Sequence, residues 1–228
     1  MSSPVTSAAS RPPCVVVVPV KPPAFGKSRL GGAGQGLPDD QRRELAEAFA
    51  LDTVEAALAT PGVETVLVVT DDFRLAATLR ALGCEVMPDG ASDDLNATLV
   101  QGAAEVARRW PYAVPVALCA DLPALRADEL ADVLVAVVDL VTAGSSAFVR
   151  DRAGIGTTLY AAPADRFQPG FGVGSAARHV GAGAVEVGER ALSVRTDVDD
   201  FADLGAALVA GVGPHTARAS GRRATPQG

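Results

Sequence analysis

A chain of 228 residues, 48% apolar and 21% charged, can bury one sizeable core, and its apolar stretches are broken well before the roughly 18 residues that a membrane span requires. A formal net charge of −7 argues against attraction to nucleic acid or an anionic lipid surface, so an anionic ligand must be met by local cations. Two histidines, one of them (His215) in a Gly/Pro/Arg/Ser-rich tail, leave little for a Ser-His-Asp triad or a multi-His metal site; the chemistry must run on carboxylates, lysines, arginines and backbone amides.

In chain order, residues 1–13 are rich in Ser, Ala and Pro without the basic start and apolar run of a secretory signal, and read as a disordered lead. Cys14 to Val20 is a continuous β-branched run, the pattern of a central strand buried on both faces in a parallel sheet. Pro38-Asp39-Asp40 opens a long crossover helix that stops at Pro61-Gly62. The cycle repeats with a strand at Thr65 to Thr70, a helix from Asp71 to Leu82, a short strand at Glu85 to Met87, a helix from Leu95 to Arg109 and a buried strand at Val114 to Leu118. Leu130, Val133, Leu134, Val137, Val138 and Val141 then form one apolar helical stripe.

Past Gly144 short strands are expected at Ala147 to Arg150 and Thr157 to Ala161, among loops crowded with glycine, which permits close backbone approach to a ligand. A last strand at Leu192 to Arg195 and a helix from about Asp200 to Ala210 close a single domain spanning 14–212, and 213–228 reads as a flexible tail without apolar period. The alternation predicts an α/β fold: a doubly wound, mostly parallel sheet in three α/β/α layers. Three cysteines at irregular spacing, two of them in apolar runs, fit reduced thiols and a cytoplasmic protein.

In such a sheet ligands bind beyond the carboxyl ends of the strands, which directs attention to the loops after Val20, Leu118 and Thr196. The first carries Lys21, Lys27 and Arg29, able to cradle a triphosphate or merely to face solvent. Gly26-Lys27-Ser28 imitates the end of a Walker A loop, but Lys21 stands where that loop needs glycine, and 31–36 misses the G-x-G-x-x-G spacing; neither motif is supported. Asp121, directly after a buried strand, can hold Mg²⁺ against nucleotide phosphates or cap a helix, although Asp128 lies nearer the next helix. Asp197-Val198-Asp199-Asp200 is a second acidic cluster with the same two readings, one of its members being expected to cap the last helix.

Val18-Pro19-Val20-Lys21, Lys27-Ser28-Arg29-Leu30, Leu95-Asn96, Asp121-Leu122-Pro123-Ala124-Leu125, Asp151-Arg152, Gly154-Ile155-Gly156-Thr157-Thr158, Phe171-Gly172-Val173-Gly174-Ser175-Ala176-Ala177-Arg178-His179 and Asp197-Val198-Asp199 follow one another in an order that resembles the phosphoenolpyruvate/2-phospho-L-lactate guanylyltransferases of coenzyme F-420 biosynthesis, over about Val15 to Pro214. The resemblance implies a nucleotidyltransferase version of the doubly wound fold and transfer of GMP from GTP to a three-carbon acid phosphate, with release of pyrophosphate. Phosphoenolpyruvate is the acid expected from the match to actinobacterial members, with 2-phospho-L-lactate and 3-phosphoglycerate as alternatives. It further implies a downstream phosphotransferase that passes the acid phosphate to a deazaflavin, and it leaves a homodimer open. Carried over by motif, Lys21, Lys27 and Arg29 meet the GTP phosphates, Asn96 lies at the nucleoside, and Asp121 and Asp197 bind Mg²⁺, with Asp199 as the other candidate ligand. Thr157, Gly172 and Ser175 hold the acid, and Lys27, Asp121 and Asp197 carry the catalysis. Arg178 and His179 are motif positions whose role is left between structure and ligand contact. The rival readings are a cytidylyl- or sugar-nucleotide transferase on the same fold and a non-catalytic nucleotide-binding regulatory module.

Overall fold

The computed structural model describes residues 11–20, 37–91 and 94–221. The lead 1–10, and with it most of the segment expected to be disordered, lies outside these, as do Lys21, Lys27 and Arg29.

The continuous apolar run forms β1 (Cys14–Pro19), followed by α1 (Asp39–Leu58), β2 (Val63–Val69), α2 (Phe73–Ala81), β3 (Glu85–Met87), α3 (Leu95–Arg109), β4 (Val114–Leu118) and α4 (Ala127–Thr142). Then come β5 (Ala147–Arg150), β6 (Thr157–Ala161), α5 (Ser175–Gly181), β7 (Val185–Glu186), α6 (Leu192–Arg195), α7 (Phe201–Ala210) and α8 (Pro214–Ala219). Among the described residues the strands form one seven-stranded sheet in the order β3-β2-β1-β4-β6-β5-β7. β1 pairs in parallel with β2 and β4, β2 with β3, and β5 with β7, whereas β6 runs antiparallel to both β4 and β5. The β5–β6 connection, 151–156, is too short for a crossover helix, and antiparallel pairing is what a short connection allows.

Alternate residues of β1 face opposite sides: Val16 and Val18 pack with Leu51 and Val54 of α1, Leu75 of α2 and the apolar stripe of α4. Val15 and Val17 pack with Leu99 and Val106 of α3, Phe148 and Tyr160. Helices therefore cover both faces, which is why the central strands read as unbroken apolar runs.

Two expectations change. Leu192 to Arg195 is the short helix α6, not a strand, because the position beside β5 belongs to β7: Val185 N–H bonds to the Ser146 carbonyl and Val187 N–H to that of Phe148. Leu192 is 62% exposed while Val194 is fully buried, so this alternation marks one anchored side chain on a helical turn. The tail is also shorter than expected, since 214–219 form α8 against α1. Its start is clamped by the buried carboxylate of Asp52, which accepts hydrogen bonds from His215 N–H at 3.0 Å and Thr216 N–H at 2.8 Å. A helix N-terminus favours such an anion.

Gly213 fits only without a side chain, because a Cβ there would lie 2.4 Å from the Asp52 carboxylate carbon. Gly213→Ala or Asp52→Ala should each cost about 2 kcal/mol through lost or unsatisfied hydrogen bonds. In thermal unfolding that amounts to a Tm lower by roughly 4–8 °C; an unchanged Tm would show that α8 is not fastened by this contact.

Candidate active site

The strand ends bring Asp121 and Thr157 to one edge of the sheet, with Asp197 beside Asp121. β4 ends at Leu118, and the antiparallel β6 begins beside that end, with Leu118 opposite Leu159 and Cys119 N–H bonded to the Thr158 carbonyl at 2.9 Å. The start of β6, the loop after β4 and the loop after β5 thus meet at the carboxyl edge of β4, next to the β1–β4 switch point at which doubly wound sheets bind ligands.

Asp121 follows β4 by three residues, and its carbonyl accepts the N–H of Val198 at 3.0 Å. Val198 is fully buried with Leu45, Phe49 and Ala124, so it pins its segment while its neighbours Asp197 and Asp199 reach the carboxylate of Asp121. Oxygens of Asp121, Asp197 and Asp199 all lie within 4.8 Å of one another. The capping reading goes to another member of the run: Asp200 caps α7, accepting from Ala202 and Asp203 N–H, and Asp203 closes a capping box. Asp121 is not the cap of α4 either, since that helix starts after Arg126 without a side-chain cap, and Asp128 pairs with Arg126.

Crowding shows in Asp197, whose carboxyl is pushed up to about 7, first by burial, then by the negative charges of Asp121, Asp199 and Asp151. Three carboxylates gathered this closely form an all-oxygen donor set, which suits a hard divalent ion. The residues present fit such a metal.

The second cluster surrounds Thr157 at the start of β6. Its hydroxyl oxygen lies 2.9 Å from Nδ1 of His179 on α5, and the other ring nitrogen, Nε2, accepts the N–H of Gly170 at 2.9 Å. The loop 170–174 is braced on several sides. Asn96, at the start of α3, grips Phe171 in both directions, its Oδ1 accepting the Phe171 N–H at 2.8 Å and its Nδ2 donating to the Phe171 carbonyl at 3.2 Å. Arg178 donates to the carbonyls of Gly170, Phe171 and Val173. Within the loop Gly172 has φ +114°, a conformation costly for any residue with a Cβ, and its carbonyl accepts the N–H of Ser175. The Ser175 hydroxyl is buried without a hydrogen-bond partner among the described residues. Buried hydroxyls are normally paired, so an orphan beside a glycine loop is a place for a ligand oxygen.

Thr157, Gly172 and Ser175 are therefore in one neighbourhood, and Asp121 and Asp197 in an adjoining one, joined through the Cys119 contacts to Thr157 and Thr158. Asn96 touches the loop of the first group rather than the carboxylates. Asp151 was quoted only as part of a motif. Its buried carboxylate accepts the N–H groups of Ile155 and Gly156, shaping the turn into β6, and it adds to the negative field at Asp197. A buried aspartate four and five residues before two amides is a loop-forming signal that the Asp151 to Gly156 spacing offers.

The profile of the family described as Guanylyl transferase CofC like matches residues 14–219, nearly the whole described chain. This chain belongs to that family. Two curated relatives, both called phosphoenolpyruvate guanylyltransferase, agree with it: that of Streptomyces coelicolor is 50% identical over 209 residues, covering 91% of this chain and 95% of its own. That of Streptomyces scabiei is 50% identical over 217 residues, covering 92% and 97%. The fold is shared with CMP:2-keto-3-deoxy-manno-octonic acid synthetase solved in complex with CTP, at a TM-score of 0.53 and 19% identity over 87% of this chain and 98% of that one. The nucleotidyltransferase type of α/β sheet expected from the sequence is thereby established, and with it the guanylyltransferase family. Among the described residues no helix is long and apolar enough to cross a membrane.

Proposed function

We propose that this member of the family transfers GMP from GTP to phosphoenolpyruvate. An oxygen of the acid's phosphate bonds to the α-phosphorus of GTP, the bond from that phosphorus to the β-bridging oxygen breaks, and pyrophosphate leaves with the electron pair. The reading is carried by one observation: a three-carboxylate donor set adjoins a glycine loop with an orphaned hydroxyl, at the ligand-binding edge of a guanylyltransferase-family sheet.

The attacking phosphate oxygen is already anionic and needs no general base, so the protein's task is alignment and charge compensation. Asp121 and Asp197, with Asp199 beside them, would hold Mg²⁺, which when bound offsets charge on the triphosphate and on the departing pyrophosphate. Lys21, Lys27 and Arg29, on the segment that follows Val20, supply further positive charge to the phosphates. Asn96 serves the nucleoside side from the start of α3, where it also braces Phe171. Thr157 and Ser175 offer hydroxyls, and Gly172 backbone, to the carboxylate and phosphate of the acid. The product is a mixed diphosphate, chemically activated for a downstream phosphotransferase that delivers the three-carbon acid phosphate to a deazaflavin in coenzyme F-420 biosynthesis.

The test is pyrophosphate release with the purified chain and Mg²⁺, varying both substrates. Release that requires GTP and phosphoenolpyruvate together is expected, with CTP inactive and with 2-phospho-L-lactate and 3-phosphoglycerate slower. Faster release with 2-phospho-L-lactate would move the assignment to that acid, and none with any pair would reduce the chain to a nucleotide-binding module.

A further inference from the structure

His179 is 2% exposed and enclosed by aromatic rings: Tyr160 stacks on it at 4.7 Å, with Phe148 at 5.5 Å and Phe171 edge-on at 5.9 Å. This box fixes the plane of the imidazole. Its two hydrogen bonds then fix its protons. The partner of Nε2 is a backbone N–H, that of Gly170, which can only donate, so Nε2 must be the unprotonated acceptor. A neutral ring with a bare Nε2 carries its proton on Nδ1, and that N–H faces the Thr157 hydroxyl oxygen at 2.9 Å. Burial, and after it the adjacent Arg178, push the imidazole down to about 4, which keeps the ring neutral near pH 7.

Thr157 therefore accepts from His179, and its own hydroxyl proton is turned away from the ring. Were Nε2 protonated instead, it would meet the Gly170 N–H donor to donor and Thr157 would give its proton to Nδ1.

We propose that His179 is a positioning residue: by holding Thr157 Oγ1 as an acceptor, it leaves the Thr157 hydroxyl proton as a donor for an anionic oxygen of the acid substrate. The bond to Gly170 makes the same ring a tie between β6 and the loop 170–174, so both flanks of the acid pocket are set by one side chain. The inference rests on the reading that Thr157 contacts the acid.

The test combines a measurement on the unmodified chain with kinetics of variants. Long-range ¹H–¹⁵N spectra of a chain with only two histidines will resolve His179, and His215→Gln assigns it. A protonated Nδ1 with a bare Nε2 is expected; a protonated Nε2, or a cation, at neutral pH overturns the proposal without any change at the site.

His179→Gln, whose amide oxygen can stand near Nε2 but which lacks the Nδ1 donor, should raise the acid KM about tenfold and leave the GTP KM within about twofold. His179→Asn, which can place an amide N–H near Nδ1, should recover much of that loss. In a Thr157→Val background His179→Gln should add nothing, since the group it orients is gone. Additive effects, or equal acid KM values for the Gln and Asn variants, would leave His179 a structural residue only. Should Thr157→Val itself leave the acid KM unchanged, the acid-pocket reading falls first and takes this role of His179 with it.

Discussion

Asp121→Asn and Asp197→Asn should each lower turnover on the order of a hundredfold or more, while circular dichroism remains that of the parent. Each substitution keeps size and removes the negative charge that a divalent ion requires, and a loss of about 2.7 kcal/mol of transition-state stabilisation is already a hundredfold in rate. The stability of the metal-free protein should move the other way for Asp197→Asn. Because the folded state raises this carboxyl to about 7 from the ordinary 3.8, its ionised form is disfavoured by folding. The penalty is absent below 3.8, grows as pH rises between the two values and is complete above about 7. Metal-free Asp197→Asn should therefore melt a few degrees higher than the parent above that pH, with the gain vanishing in acid. Activity lost and stability gained by one substitution is the mark of a functional carboxylate cluster; normal turnover at saturating Mg²⁺ in both variants would remove the metal site from the account.

Thr157→Val and Ser175→Ala are expected to act on the other substrate. Each should raise the acid concentration needed for half-maximal rate by the equivalent of roughly 1–3 kcal/mol, about 5- to 150-fold, with GTP binding measured alone nearly unaffected. Their stabilities should differ. Thr157→Val leaves the Nδ1 of His179 without its partner and should lower Tm by several degrees. Ser175→Ala removes a buried hydroxyl that has no partner among the described residues and should leave Tm unchanged or raise it. An unchanged acid dependence in both variants, or a loss of GTP binding instead, would detach 157–175 from the acid pocket.

The layers of the fold were legible because the signals that define them are local. β1 and β4 are apolar throughout because helices cover both faces of the sheet, and α4 shows its core face as a stripe. The place of the candidate carboxylate cluster could be read as well, since a charged residue directly after a buried strand, such as Asp121 after β4, falls at the carboxyl edge. Asp197 stood out through the resemblance, and what the structure adds is the hydrogen bond from Val198 N–H to the Asp121 carbonyl, which sets the two aspartates side by side.

The misread elements depend on distant contacts. α8 had no apolar period of its own, because its stability comes from Asp52, 163 residues before His215. α6 looked like a strand because Leu192-Ser193-Val194 alternates, and only the occupied edge of β5 excludes it from the sheet. The role of His179 was hidden for the same reason: a histidine in a short glycine-flanked helix declares neither its tautomer nor its partners until Gly170 and Thr157 are brought to its two nitrogens.

The proposed reaction joins two anionic substrates through a new phosphorus–oxygen–phosphorus linkage. Mass spectrometry of the nucleotide formed from GTP, phosphoenolpyruvate and Mg²⁺ tests it most directly, with a pyrophosphatase present to draw the reaction forward. A single new species is expected, whose mass and fragments show GMP joined through a diphosphate to the intact enol acid, and it should form on the order of a hundredfold more slowly with either the Asp121→Asn or the Asp197→Asn variant. Recovery of GTP unchanged, or of GMP and GDP without any adduct of the acid, would contradict it.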